Sequence, residues 1–375
     1  MTTTKKSKSK ITRRTALSLM GGTALAMPFI RPSFADDKTL NVYNWTDYIG
    51  ETTIADFEKK TGIKVTYDMY TSSEEMEAKM LAGKTGYDLV DMAGNSLARF
   101  IQAGIFQRLD RAQLPSWGNL DPTVLGLMHS WDPDNLYGMP YMWGTTGLTF
   151  NVDLVKKRLP DVDFETMDII FKPELAAKVA DCGISLLDSQ QDVIRMGLGY
   201  LGIDPNEATA ADYDKVVELF KPIRQYIRTF DSSNYLNAIP NGELCVINNW
   251  SGDYATAKTR AAEAGVKINL AYQVPKSGAS IWVDSMCIPA DAKNPGNAHK
   301  FLEFLLDPAV IAACTDFTNY ANANVPAKKL INQDVANDPA IYPDEATLKR
   351  LSSPKTLTEE QDRAMTRAFT AIKSG

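Results

Sequence analysis

Three short segments of this 375-residue chain pair an indole with a carboxylate: Trp45-Thr46-Asp47-Tyr48, Trp250-Ser251-Gly252-Asp253 and Trp282-Val283-Asp284. Asp192 and Tyr320 are outlying candidates for the same set. These are the residue types an organic ammonium needs. The quadrupole of an aromatic ring draws a cation to its face, and a carboxylate accepts its N–H donors. If a fold gathers these segments, they line a cage for a small polycation. The plainer alternative has each tryptophan packing core after a strand and each aspartate capping a helix or facing solvent. An aspartate within three residues of each tryptophan favours the cage.

Catalytic and metal chemistry are poorly supplied. The chain has two histidines, His129 and His299, and neither lies near a partner motif, so a zinc site or a Ser-His-Asp triad is hard to assemble. Cys182, Cys245, Cys287 and Cys314 form no C-x-x-C pair. Gly144–Gly147 is a loose glycine-rich run with no lysine after it to hold a phosphate. No cofactor, metal or turnover is expected. The competing classes are an enzyme on a similar scaffold, which the poverty of histidine disfavours, ferric-ion capture, which would not need tryptophan walls, and anion binding at helix N-termini, which conflicts with the acidic residues.

The N-terminus reads as an export signal. Four lysines between Lys5 and Lys10 precede Arg13-Arg14, an apolar stretch runs from Leu17 to Ile30, and Ser33-Phe34-Ala35 offers small residues for cleavage after Ala35. The arginine pair, with Arg31 near the cut, points to the twin-arginine route and the bacterial periplasm. Removing residues 1–35 takes away seven basic and no acidic residues, which leaves 33 basic against 46 acidic and a net charge of −13. Such a chain repels nucleic acid and anionic lipid and attracts cations. No later segment has the uninterrupted apolar length of a membrane helix.

The elements that must position the candidates are visible in outline. Leu40–Asn44 alternates as a strand, Thr52–Lys60 reads as a helix stopped by Gly62, and Ile63–Tyr70 is β-rich. Ser72-Ser73-Glu74-Glu75 resembles a capping box before a helix that ends at Gly83. Tyr87–Met92 reads as a strand and Ser96–Ala103 as a helix. This alternation implies a parallel sheet with helices on both faces, whose ligands sit at the carboxyl ends of strands. Met139–Gly147 breaks the alternation and looks like a crossing between lobes, with a new strand from Leu148. Glu243–Asn249 and Ile281–Ile288 read as strands, and Pro295–Leu306 as a helix. A C-terminal helix over 358–373 places Met365, Phe369 and Ile372 on one face.

These segments resemble the substrate-binding proteins of bacterial spermidine/putrescine ABC importers, and most closely their putrescine branch. The resemblance runs from Leu40 to Gly375. It is carried by Tyr43–Ile49, Phe57–Val65, Met139–Gly147, Trp250–Asp253, Ile288–Asn294 and Tyr320-Ala321-Asn322-Ala323-Asn324. It implies a two-lobed α/β periplasmic binding protein fold of type II. Residues 36–144 and 283–328 would form lobe 1, and 145–282 and 329–375 lobe 2. It implies a polyamine ligand, a putrescine-like diamine before spermidine, held by a monomer and passed to an ABC permease. By position, Trp45, Thr46, Asp47 and Tyr48 line the first wall and Trp250 and Asp253 the second. Trp282, Asp284 and Tyr320 complete the cleft. Asp192 stands where the family has a glutamate, Ala93 stands at a serine contact, and Asn95 could supply a replacement acceptor. Asp253 is typical of the putrescine branch. The resemblance also implies a Cys182–Cys245 disulfide, with Cys287 and Cys314 left as buried thiols.

Overall fold

The computed structural model describes residues 38–375. The export-signal reading of residues 1–35 lies outside them. Eleven strands occur among the described residues: β1 (Thr39–Trp45), β2 (Lys64–Tyr70), β3 (Leu89–Ala93), β4 (Gly138–Asn151), β5 (Ile184–Leu186), β6 (Ile227–Phe230), β7 (Val246–Trp250), β8 (Leu270–Gln273), β9 (Ala279–Cys287), β10 (Ala321–Asn322) and β11 (Leu351–Ser352). They join in the order β2-β1-β3-β9-β4-β7-β5-β6, with β8 and β10 on β4 and β11 on β9.

The first part follows the expected alternation. β1 pairs in parallel with both β2 and β3, and the helices between them are Thr53–Thr61 and Ser73–Ala82. The first ends where Gly62 takes φ 71°, a left-handed position that glycine occupies without a Cβ penalty. Half of the expected capping box forms at the second: the Ser72 hydroxyl accepts the Glu75 N–H at 3.1 Å. The Glu75 carboxylate reaches the Thr71 N–H instead of that of Ser72.

Two expectations need correction. The sheet is mixed, because β9 runs antiparallel to both β3 and β4. Met139–Gly147 and Leu148–Asn151 are also not a break followed by a new strand, since β4 is one 14-residue strand. Its first half pairs with β9 through Thr145, and its second half pairs with β7 from Thr146 onward. Pro140 is accommodated where the β4–β9 register shifts, between Pro140 and Trp143, so its missing N–H interrupts no regular ladder.

Buried side chains form three clusters. The first joins β1–β3, Met139–Met142, Val283–Ile288 and the helices Pro295–Leu305 and Pro308–Thr318. The second gathers Leu148, Phe150, Ile184 and Val246 with the helices Gln190–Tyr200, Ala210–Phe220 and Glu359–Ser374. Met365, Phe369 and Ile372 point into it from the C-terminal helix, on the face their spacing predicts. The third centres on Leu187, Tyr235, Ile247, Ala257 and Tyr272. β4 therefore leaves the first cluster at Met142 and enters the second at Leu148.

The Cys182–Cys245 disulfide is present, with Cα atoms 5.6 Å apart and 63 residues of separation. A loop of that length corresponds to about 4 kcal/mol of unfolded-state restriction in the chain-entropy account. Cys287 and Cys314 are buried thiols. His129 is exposed. His299 is buried, and its Nε2 accepts the Asp110 N–H at 2.8 Å.

Candidate functional site

The carboxyl ends of β1, β3 and β7 open onto one cleft of about 1010 Å³, as strand ends do in open α/β sheets. Trp45 closes β1 and Trp250 closes β7. Asp253 follows in the first turn of the helix Ser251–Glu263. Trp282 and Asp284 stand two apart on β9, so the period of a strand points both to one face. Asp192 lies in the first turn of the helix Gln190–Tyr200, whose N-cap is Ser189. All eleven candidate residues line the cleft: Trp45, Thr46, Asp47, Tyr48, Asn95, Asp192, Trp250, Asp253, Trp282, Asp284 and Tyr320. Ala93 does too.

Glycine permits two of the approaches. A Cβ on Gly144 would stand 2.7 Å from the Trp282 ring, and one on Gly252 would stand 2.6 Å from the Tyr320 ring. Tyr320 thereby lies against the start of the Ser251–Glu263 helix, and its hydroxyl donates to Asp253 Oδ1 at 2.6 Å. The aromatic rings stand in two groups. Trp282 and Tyr48 lie 5.5 and 5.2 Å from Tyr320, and Trp45 meets Trp250 edge-on at 5.8 Å.

Each central carboxylate is held by hydroxyl donors rather than by a protein cation. The Tyr48 hydroxyl donates to Asp284 at 2.8 Å, and those of Thr146 and Ser189 donate to Asp192 at 2.7 Å each. Tyr235 and Tyr320 both donate to Asp253. Burial raises the Asp284 carboxyl to about 7; the Tyr48 hydroxyl opposes this and the Asp192 charge adds to it. Burial raises Asp253 to about 6 against the pull of Tyr235, Tyr320 and Arg260. Asp192 is also raised by burial, with Thr146, Ser189 and Trp250 acting the other way.

Asp47 behaves differently. It adopts a left-handed φ of 55°, and its exposed carboxylate accepts from Arg260 Nη2 at 2.8 Å. It sits at the rim, where such a pair contributes about 0–1 kcal/mol. A second rim contact joins Arg99 to Asp362 at 3.5 Å. Among the described residues, eleven carboxylates against three guanidinium groups line the cleft, which suits it to a cation and opposes an anion. Among the described residues, no group of His, Cys, Asp and Glu is arranged for a metal ion, and no helix is long and apolar enough to cross a membrane.

Sequence reading missed several members of the site. Tyr235 at the start of a short helix, Thr146 on β4 and Ser189 at a helix N-cap are ordinary residues until the fold points them at acids. Asp91 did carry a readable signal, as a carboxylate within the apolar run of β3. It is fully buried on the same sheet face as Asp284, since Ala93 pairs with Asp284 and Asp91 with Met286. Its Oδ2 finds no partner among the described residues, and burial followed by the Asp284 charge holds its carboxyl well above the usual range.

The family model of bacterial extracellular solute-binding proteins matches residues 52–343. The chain belongs to this family. It is 45% identical over 343 residues to the putrescine-binding periplasmic protein PotF of Escherichia coli, covering 91% of this chain and 93% of the relative. It is 43% identical over 342 residues to the putrescine-binding periplasmic protein SpuD of Pseudomonas aeruginosa, with the same two coverages. Among solved structures, the spermidine/putrescine ABC transporter substrate-binding protein PotD of Streptococcus pneumoniae superposes with a TM-score of 0.74 at 26% identity. That match covers 90% of this chain and 98% of the other. The chain shares the two-lobed α/β fold of these solute-binding proteins and is not an enzyme.

In this solute-binding protein, the raised acids tie stability to pH. Asp284 and Asp253 hold their protons more tightly folded than unfolded, where a carboxyl titrates near about 4. Their contribution is therefore fully present below about pH 4 and is lost as pH rises through about 6 and 7. Thermal unfolding of the ligand-free protein is expected to show less stability at pH 8 than at pH 5.5, with the difference reduced in Asp284→Asn. A melting temperature that rises steadily to pH 8 would contradict these assignments.

Proposed function

We propose that this chain captures a small polyamine, with a putrescine-like diamine preferred, in the cleft and delivers it to an ABC permease. The observation that carries the reading is the convergence of Asp192, Asp253 and Asp284 with Trp45, Trp250, Trp282 and Tyr320 on one acidic cleft. A diamine loses hydration at both ends on binding, so each end needs charge-assisted acceptors. Its methylenes need apolar cover, which aromatic planes give at little conformational cost. The central carboxylates have hydroxyl donors beside them, so their charge is available to an ammonium. The names of the relatives that bind putrescine support the same ligand class.

Capture uses reversible closure of two lobes, 36–144 with 283–328 and 145–282 with 329–375, about β4 and β9. The separation of the first core cluster from the second along β4 supports this division. Contacts between the two sides, Asp47 with Arg260 at 2.8 Å, Trp45 with Trp250 at 5.8 Å and Tyr320 with Asp253 at 2.6 Å, support a closed arrangement of the lobes. The protein acts as a monomer in the periplasm, reached by the twin-arginine route with cleavage after Ala35. The basic N-terminus with Arg13-Arg14 supports that route, and the periplasmic names of the relatives support the compartment. The net negative charge opposes any nucleic-acid partner.

Specificity is broadened among diamines. Ala93 lacks a hydroxyl, Asn95 substitutes an amide, and Asp192 is one methylene shorter than a glutamate. These changes leave room at one end of the site and keep its charge. Putrescine is expected to lead its nearest competitor among diamines by no more than about tenfold, or about 1.4 kcal/mol. A thermal-shift panel of amines, amino acids and metal ions, followed by competition titrations, tests both statements. Stabilisation by amino acids or metal ions and not by amines would overturn the ligand class. A hundredfold preference for putrescine or for spermidine would overturn the specificity.

A further inference from the structure

Arg195 lies one helical turn beyond Asp192 and is only 6% exposed. Its Nε donates to Ser280 Oγ at 2.9 Å, Nη1 to Asn206 Oδ1 at 2.8 Å and Nη2 to Ser352 Oγ at 3.0 Å. All three acceptors are neutral, and no carboxylate of the described residues pairs with it. A buried guanidinium held only by neutral oxygens carries a desolvation cost that an apolar side chain would avoid. Its own pKa is accordingly pulled down to about 10 by burial.

The acceptors show what the cost achieves. Ser280 lies on β9, two residues before Trp282 and four before Asp284. Ser352 lies on β11, which pairs with β9 at Ala279 and Ser280. The chain then continues to Pro354, whose carbonyl accepts the indole N–H of Trp131, a member of the first core cluster, at 2.8 Å. Arg195 thus clips the helix that carries Asp192 to the strand that carries Trp282 and Asp284. Asp192, Arg195 and Ser280 also line a second cavity of about 470 Å³, so the clip crosses the boundary between that cavity and the cleft.

We propose that Arg195 is a positioning residue for polyamine capture, which fixes the start of the Asp192 helix against β9 so that the carboxylate faces an ammonium in the cleft. The proposal rests on the amine reading above and on Asp192 as one of its acids. The electrostatic surroundings agree. Glu74, Asp284, Tyr235 and Tyr272 face Asp192, and none is a cation. Arg195 is the group acting on Asp192 that favours ionisation by its charge. Arg195 in turn faces Asp192, Asp204 and Tyr213.

The test is a double-mutant cycle of Arg195→Met and Asp192→Asn, titrated with putrescine at pH 6 and pH 8. Arg195→Met is expected to weaken binding more at pH 6 than at pH 8, by up to about tenfold, the most that one pKa unit allows. In the Asp192→Asn background the same change should cost less than about threefold, because the group it acts through is gone. Arg195→Lys, which keeps the charge, should recover most of the pH 6 affinity. An equal loss with and without Asp192, an equal loss at both pH values, or no loss would overturn the proposal. Arg195→Gln carries the same comparison if the Met variant does not fold. Carboxyl carbon NMR of the ligand-free protein separates this inference from the ligand reading. Asp192 should titrate at higher pH in the Gln or Met variant than in wild type, whatever the chain binds, and an unchanged midpoint would also overturn it.

Discussion

Replacing Asp284 by Asn weakens putrescine binding by about 2–4 kcal/mol, roughly thirty- to a thousandfold. Asp284 is only 6% exposed, and its one donor among the described residues is the Tyr48 hydroxyl, so the amide keeps the shape and removes the charge. An ammonium that has given up its water then faces a neutral group. Asp253→Asn is expected to behave similarly, because two tyrosine hydroxyls already converge on that carboxylate and leave its charge for the ligand. Both variants should be at least as stable as wild type without ligand above pH 7, since a buried amide costs less desolvation than a buried carboxylate. Calorimetric titration with a parallel melting curve checks both points. Wild-type affinity in either variant would show that its carboxylate does not meet an ammonium.

Lowering the pH from 8 to 5 reduces affinity for putrescine by roughly a hundred- to a thousandfold. Both amines of the ligand stay protonated across this range, so the change belongs to the protein. Asp284, raised to about 7, and Asp253, raised to about 6, must both be ionised to hold the dication. Below those values each capture event must expel a proton, and each pH unit below a carboxyl's midpoint costs up to tenfold in affinity. Titrations at pH 6 in buffers of different ionisation enthalpy should therefore register proton release. An affinity that stays flat from pH 8 to pH 5 would mean that these carboxylates are ionised before the ligand arrives.

Locally determined features could be read from sequence. The Gly62 stop, the start of β1 and the apolar face of the C-terminal helix depend on neighbours within a few residues. β4 could not be read in the same way. Pro140, Gly144 and Gly147 look like breakers, yet the last two are glycines because a ring needs the space: Gly144 lies under Trp282 and Gly147 against Tyr272. β4 is buried along almost its whole length, and tertiary pairing overrides its local signals. The same division holds for the site. Acid and aromatic residue types mark Trp45, Trp250, Asp253, Trp282 and Asp284 from the outset. The donors that hold the acids arrive from far along the chain, as Tyr235 does on Asp253 and Thr146 on Asp192, and only the fold brings them there. Asp47 lines the cleft as its position beside Trp45 predicts, and only the fold shows that Arg260 engages its side chain at the rim.

Isothermal titration of residues 36–375, produced without bound amine, shows whether the cleft takes a polyamine. With putrescine at pH 7.5, saturable binding of one ligand per chain is expected, with no chemical change in the recovered amine. The absence of binding heat with putrescine, cadaverine, agmatine and spermidine alike, across temperatures that exclude a zero enthalpy, would contradict polyamine capture.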